Sequence, residues 1–242
     1  MTKISAGSYD LNTWLHGGYE TDIITVIYGD SGTGKTNFCL ASACSQAKKE
    51  KKVLIIDTEG GYSTERMRQL SKDKEEYEKL IQNIILLKPT NFKEQKEAFE
   101  ELLTHIKKNN NIGLIIVDGA TMLYRIDFAE ARKRGEKEIS ELNAELAKQM
   151  RTLSEIARKI NIPIIITNQV YKFEDEKRMV GGDILKYWGK CHIELENQSG
   201  KRTAYLRKHR SLPEKTMQFQ IYDGGIRKKG WIWINKIIKR KK

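Results

Sequence analysis

The eight residues Gly29-Asp30-Ser31-Gly32-Thr33-Gly34-Lys35-Thr36 are the densest concentration of phosphate chemistry in the chain. They spell GxxxxGKT between an apolar run that reads as a strand and a segment that reads as a helix. Triphosphate oxygens need convergent donors, and glycines let successive backbone N–H groups turn toward an anion at a helix N-terminus. The spacing predicts ATP and Mg as cofactors, with Lys35 reaching the β and γ phosphates, Thr36 ligating magnesium and Asn37 extending the nucleotide loop. A second magnesium anchor is expected, and the buried-type run GLIIVD supplies it in Asp118. The run KVLIID ends in Asp57, with Glu59 just beyond it, where strand ends of open α/β sheets face the nucleotide. Glu59 is therefore the candidate to take a proton from attacking water. The polar end Thr167-Asn168-Gln169 follows another apolar run, and an amide there can bond a γ-phosphate and report it to the segment that follows.

Holding these groups at one edge requires parallel strands. IITVIYG (23–29), KVLIID (52–57), NIILL (83–87), GLIIVD (113–118) and IPIIITNQV (162–170) are apolar on both faces and read as buried strands. Between them Lys35 to Lys48, Thr64 to Lys79, Phe92 to Lys108 and Glu136 to Ile160 read as helices. That alternation predicts an α/β fold with a mostly parallel twisted sheet and helices on both faces. After Gly182 the alternating runs CHIELE, RTAYLRK, TMQFQIYD and GWIWIN predict an antiparallel C-terminal extension of the same sheet. Three prolines leave no linker, so residues 1–242 read as a single domain with a basic tail at about 236–242.

The formal charge of +12 is concentrated. Residues 200–242 hold 14 Lys and Arg against two acids, Glu214 and Asp223, which accounts for the whole excess. Without Lys236 to Lys242 the stretch still carries +7, pointing to a polyanion rather than to solubility alone. Trp231 and Trp233 alternate beside the tail, as strand residues with one face on the sheet. No apolar run approaches the ~20 residues of a membrane helix and no secretory leader is visible, so no membrane partner and a cytoplasmic location are expected. Cys39, Cys44 and Cys191 have no metal-ligand spacing and read as buried thiols.

Together the phosphate loop, the strand ending before Glu59, the Asp118 strand and the Asn-Gln strand resemble the core of the RecA/RadA recombinases, a RecA-like P-loop ATPase fold. The resemblance runs from Ile4 to Asp223, through DTEGGYSTERM (57–67), LIIVDGATMLYR (114–125), ITNQV (166–170), VGGDIL (180–185) and RKHRSLPE (207–214). The chain looks most like the short archaeal branch of that family, which has no N-terminal helix-hairpin-helix domain. The resemblance implies that Glu59 is the catalytic glutamate, that Gln169 couples γ-phosphate to the second DNA loop, and that Arg66 lies against the adenine. It also likens Lys208 and Arg210 to a basic pair that reaches ATP on a neighbouring subunit, which implies a homo-oligomer with ATP at the interface.

DNA loops are expected after the Asp118 and Gln169 strands. The first contains Arg125, Arg132, Lys133 and Arg134, and the second, Tyr171 to Val180, contains Lys172, Lys177 and Arg178 with Tyr171 and Phe173 for stacking. Lys239 and Arg240 of the tail are further candidates. The second loop is short and mixed in sign, and Gly119 stands where the family usually has a serine, a change expected to weaken the magnesium shell. The function implied is an ATP-binding accessory of homologous recombination and repair, on single- or double-stranded DNA, with other recombination proteins, weak hydrolysis and little strand exchange. Two other readings stay open: a DNA-stimulated, filament-forming recombinase ATPase, and a KaiC-like signalling ATPase that needs no DNA.

Overall fold

The apolar runs become the centre of one sheet because neither of their faces tolerates water. The structure, a computed structural model, describes residues 2–108, 111–173 and 176–230. A short pair, β1 (Lys3–Ile4) and β2 (Tyr19–Glu20), flanks α1 (Tyr9–Trp14). Strand–helix alternation follows: β3 (Ile24–Gly29), α2 (Lys35–Ala47), β4 (Lys52–Asp57), α3 (Thr64–Gln69), α4 (Lys74–Gln82), β5 (Ile84–Leu87), α5 (Phe92–Lys108), β6 (Ile112–Asp118), α6 (Met122–Arg134), α7 (Glu136–Ile160) and β7 (Ile164–Asn168). The chain continues through β8 (Val170–Phe173), β9 (Glu176–Met179), α8 (Gly182–Trp188), β10 (Gly189–Gln198), β11 (Lys201–Lys208), β12 (Lys215–Tyr222) and β13 (Gly225–Lys228).

Nine strands form the main sheet in the order β13-β12-β11-β10-β3-β7-β6-β4-β5. Neighbours from β10 to β5 are parallel, and β11 to β13 add antiparallel hairpins. Alternation within each strand divides the core. Val26, Leu54, Ile56, Ile115, Val117 and Ile166 pack with α5 to α8 on one face. Ile27, Val53, Ile55, Ile116 and Ile165 pack with α1 and α2 on the other. Every residue of β6 is buried, as a strand covered on both sides requires. Among the described residues no helix is long and apolar enough to cross a membrane. Cys39, Cys44 and Cys191 are free and buried, and burial pushes the Cys44 and Cys191 thiols up to about 12.

Four expectations need correction. The segment Thr64 to Lys79 is two helices, because Asp73 accepts from Glu76 N–H at 2.9 Å while Glu76 accepts from Lys72 N–H, a capping arrangement that restarts the chain. The run CHIELE lies in β10 parallel to β3, so the antiparallel extension begins one strand later. Residues 122–134, expected as a loop, are helix α6, with charged groups spaced for an i,i+3 pair at Glu130 and Lys133, 2.8 Å apart. The segment after Gln169 is the antiparallel hairpin β8–β9. The strand expected at GWIWIN, with Trp231 and Trp233, and the tail with Lys239 and Arg240 lie outside the described residues.

Candidate nucleotide site at the carboxyl ends of the strands

The phosphate loop joins β3 to α2. Gly34 caps α2 at φ 111°, a left-handed conformation that favours glycine, and a Cβ there would meet Ile221 Cδ1 at 2.9 Å. Gly32, also left-handed at φ 74°, has nothing within 4 Å of where a Cβ would stand. The loop therefore rests on β12 at one glycine and is open at the other. Asp30, Ser31 and Gly32 are exposed, whereas Gly29 and Thr33 are buried, and the Thr33 hydroxyl donates to the Asp30 carbonyl at 2.9 Å. Lys35 is only 6% exposed, and its Nζ donates to the carbonyls of Gly29 and Asp30, each at 3.0 Å. Burial lowers its pKa, opposed by the field of Glu59 and Asp118.

Adjacent strand ends bring the acids together, since β4 and β6 pair with Asp57 opposite Asp118. Asp118 Oδ2 accepts from Thr36 Oγ1 at 2.8 Å, and its Oδ1 accepts from Thr167 Oγ1. Burial raises the Asp118 pKa despite those two hydroxyls. Glu59 is exposed as a residue, but its carboxyl is withdrawn enough that burial, then Asp118, raise its pKa. Gln169 Nε2 donates to Glu59 Oε1 at 3.2 Å. Asp57 spends its carboxylate on the backbone, where its two oxygens accept from the N–H groups of Gly61 and Tyr62 at 3.0 and 2.9 Å. It shapes the loop that presents Glu59.

These residues fit a magnesium–triphosphate group. The hydroxyl of Thr36 and the carboxylate of Asp118 already touch, and a Cβ on Gly61 would crowd both, at 3.0 Å from Thr36 Oγ1 and 3.1 Å from Asp118 Oδ2. Among the described residues, neither Asp118 nor Glu59 has a Lys, Arg or His within 4.0 Å. Buried carboxylates without a cation are costly, and a hard divalent ion is the partner such oxygens favour. Thr167 and Thr58 are the contributors that motif reading misses: Thr58 Oγ1 donates to the carbonyls of Asp118 and Gly119 at 3.0 and 2.8 Å. Thr167 is legible only as part of a polar strand end, with no role given to its hydroxyl, and Thr58 only as the residue between Asp57 and Glu59.

The remaining candidates lie elsewhere. Arg66 binds Asn37 Oδ1 at 2.8 Å and the carbonyls of Tyr222, Asp223 and Gly225, clasping the β12–β13 turn to the start of α2. Lys208 sits opposite His192, which pairs with Val26, so it lies back along the strands from Gly29. Its Nζ donates to the carbonyls of Lys186 and Gly189, both at 2.9 Å. Arg210 is held by Glu20 and Asp22 at 2.5 and 2.6 Å. Arg132, Lys133 and Arg134 are exposed on the last turn of α6. Lys172 and Lys177 are register partners in the backbone pairing of β8 with β9, and Arg178 is exposed on β9.

Comparison with known proteins agrees with this geometry. The Rad51 family pattern matches residues 1–229. A protein of Methanobrevibacter smithii, "DNA repair and recombination protein RadB", is 39% identical over 225 residues, covering 89% of this chain and 92% of its own length. RadB of Methanococcus maripaludis strain C7 is 40% identical over 217 residues, covering 89% and 96%. RadB of Methanocaldococcus jannaschii is 39% identical over 212 residues, covering 88% and 96%. With the phosphate loop, the Asp118 strand and the paired Glu59 and Gln169 in one place, the chain belongs to the Rad51 family of recombinases, on its RadB-like side.

Proposed function

We propose that this chain is an ATP-binding, DNA-binding accessory protein of homologous recombination and DNA repair that works in the cytoplasm with other recombination proteins. The relatives' shared description as DNA repair and recombination proteins supports the process, and disfavours a signalling ATPase of the KaiC type. The observation that carries the nucleotide part is the pair of contacts, Thr36 with Asp118 and Gln169 with Glu59, beside the phosphate loop.

In this reading Thr36 and Asp118 would hold magnesium, which would offset the negative charge of the phosphates. Lys35 supplies a charged donor to the same oxygens, and glycines at 32 and 34 let backbone N–H groups approach them. Glu59 accepts a proton from water at a carboxylate oxygen. A raised pKa makes it a stronger base than an ordinary carboxylate. Gln169 senses that carboxylate at the root of the β8–β9 hairpin, so nucleotide state and hairpin are linked through one hydrogen bond. Arg66 flanks the adenine from α3, and Lys208 acts on a neighbouring copy's nucleotide. Turnover is therefore slow in the isolated chain, and ATP serves as a switch for contact with single- or double-stranded DNA through Arg132, Lys133, Arg134, Lys172, Lys177, Arg178 and the tail.

Calorimetry with Lys35→Ala tests the site. About a hundredfold loss of ATP affinity with an unchanged fold is expected, in keeping with about 3 kcal/mol for a charged hydrogen-bonding group. Unchanged affinity refutes the assignment. Phosphate release with and without single-stranded DNA separates the readings: a flat, slow rate supports the accessory, and stimulation of a hundredfold or more supports a filament-forming recombinase.

A further inference from the structure

Gly119 follows Asp118 at φ +82°, and the space beside its Cα is already taken. A Cβ on it would stand 2.5 Å from Thr58 Oγ1, 2.6 Å from Glu59 Cγ and 3.0 Å from Glu59 Oε1. Close-packed atoms do not share such distances, so a side chain at 119 and the present Glu59 stem exclude one another. The backbone of Gly119 is also tied to both partners of the Glu59–Gln169 contact. Its N–H donates to Thr167 Oγ1 at 2.7 Å, two residues before Gln169. Its carbonyl accepts from Thr58 Oγ1 at 2.8 Å, one residue before Glu59.

We propose that Gly119 is a positioning residue for Glu59: the volume left by its missing side chain is the slot in which the Glu59 stem lies while its carboxylate meets the Gln169 amide. This rests on the reading of Glu59 as the water-activating group. It moves the consequence of glycine at this position away from the metal, where the sequence pointed, because Asp118 is held by Thr36 and Thr167 and the forbidden contacts fall on Thr58 and Glu59. In the slot the carboxyl shares its surroundings with Asp118, Asp57 and Lys35, and with the amide of Gln169. A side chain at 119 pushes it toward water and breaks the link to the hairpin.

The loop contains its own control. Gly60 is likewise left-handed, at φ +68°, but nothing lies within 4 Å of its Cβ position. Gly60→Ala thus imposes a comparable backbone penalty without the side-chain conflict. The first readout needs neither nucleotide nor metal. In an NMR pH titration of the Glu59 carboxyl carbon, Gly119→Ala should bring its midpoint down toward an ordinary carboxylate and shift the Gln169 amide signals, and Gly60→Ala should do neither. The second is activity. Gly119→Ala should slow phosphate release at least tenfold while ATP affinity and the magnesium concentration for half-saturation stay within threefold. If Gly119→Ala is poorly stable, adding Glu59→Ala should recover part of the lost melting temperature, since two of the three close contacts are then gone and only Thr58 Oγ1 still crowds the new Cβ. The proposal is overturned if Gly119→Ala tracks Gly60→Ala in both readouts, or if magnesium half-saturation shifts while the Glu59 titration does not. A Glu59 titration that responds to Gly119→Ala in a protein without ATP hydrolysis upholds the slot and refutes the catalytic reading of Glu59 alone.

Discussion

The two ends of the parallel strands carry buried charge in opposite ways. At the carboxyl ends, Asp118 and Glu59 gather hydroxyl and amide donors but no cation among the described residues, and both have raised pKa values. Toward the amino ends, Glu20 is 2% exposed and fully matched. Arg210 Nε donates to it at 2.5 Å, Ser211 Oγ at 3.1 Å, and Lys3 stands 3.9 Å away. Asp22 takes the rest of the Arg210 fork and is the largest cause of its raised pKa. One end is a closed network that joins β2 to the turn after β11. The other is a pair of acids whose described partners are hydroxyls and an amide, the arrangement that the proposed magnesium site would use. A buried acid in a family of nucleotide-binding proteins is informative chiefly when its cation is absent.

This contrast can be broken by substitution. Glu59→Gln should leave ATP affinity intact and lower hydrolysis about a thousandfold, within the range of general-base contributions, as measured by phosphate release. Loss of affinity instead would place Glu59 in the binding set. Glu20→Ala should destabilise the fold by about 3 kcal/mol, the lower end for breaking a buried pair because Arg210 keeps some access to water. Urea denaturation reads this, and nucleotide affinity of the folded protein should not change. Arg210→Ala should follow Glu20→Ala in stability, whereas Lys208→Ala should leave the urea midpoint alone and slow only the hydrolysis that rises with protein concentration. Equal stability loss in the Lys208 variant would erase the distinction.

The smallest effects belong to the open end. Asp118→Asn removes an uncompensated buried charge and should stabilise the magnesium-free protein by about 1 kcal/mol while abolishing its response to magnesium. Asp118 and Glu59 bind their protons more tightly folded than unfolded. The stability they contribute is full below the ordinary carboxylate values and is lost as pH rises through the raised folded values. Metal-free melting curves should therefore fall with pH across that window, and Asp118→Asn should flatten the slope. An opposite slope would mean that a cation already neutralises the pair.

The closed and open ends are unequally legible in the sequence. GxxxxGKT and the runs before Asp118 and Glu59 need fixed residue types in fixed order along the chain, so the phosphate loop and the parallel strands that carry the site can be read directly. Arg210 illustrates the reverse. Its partners Glu20 and Asp22 are about 190 positions away in sequence, so nothing local distinguishes a clamp on a buried acid from a free cation. Arg66 is legible as a helix residue but not as the clasp of the β12–β13 turn, because its acceptors are backbone carbonyls that any residues supply. Helix α6 hides behind a loop-like composition for a related reason. Mixed charges at Arg125, Asp127, Glu130 and Arg132 to Arg134 suit a solvated surface of either kind, and the buried Leu123 and Tyr124 that seat it on the core decide for helix.

Asn168 ties together the roots of the two elements that hold the proposed DNA contacts, helix α6 and the β8–β9 hairpin. It is wholly buried; its Nδ2 donates to the Val180 carbonyl at 2.8 Å and its Oδ1 accepts from Thr121 Oγ1. Val180 ends the hairpin and Thr121 begins α6, so a single amide fastens both roots. One side chain thus sets where two separate segments leave the sheet.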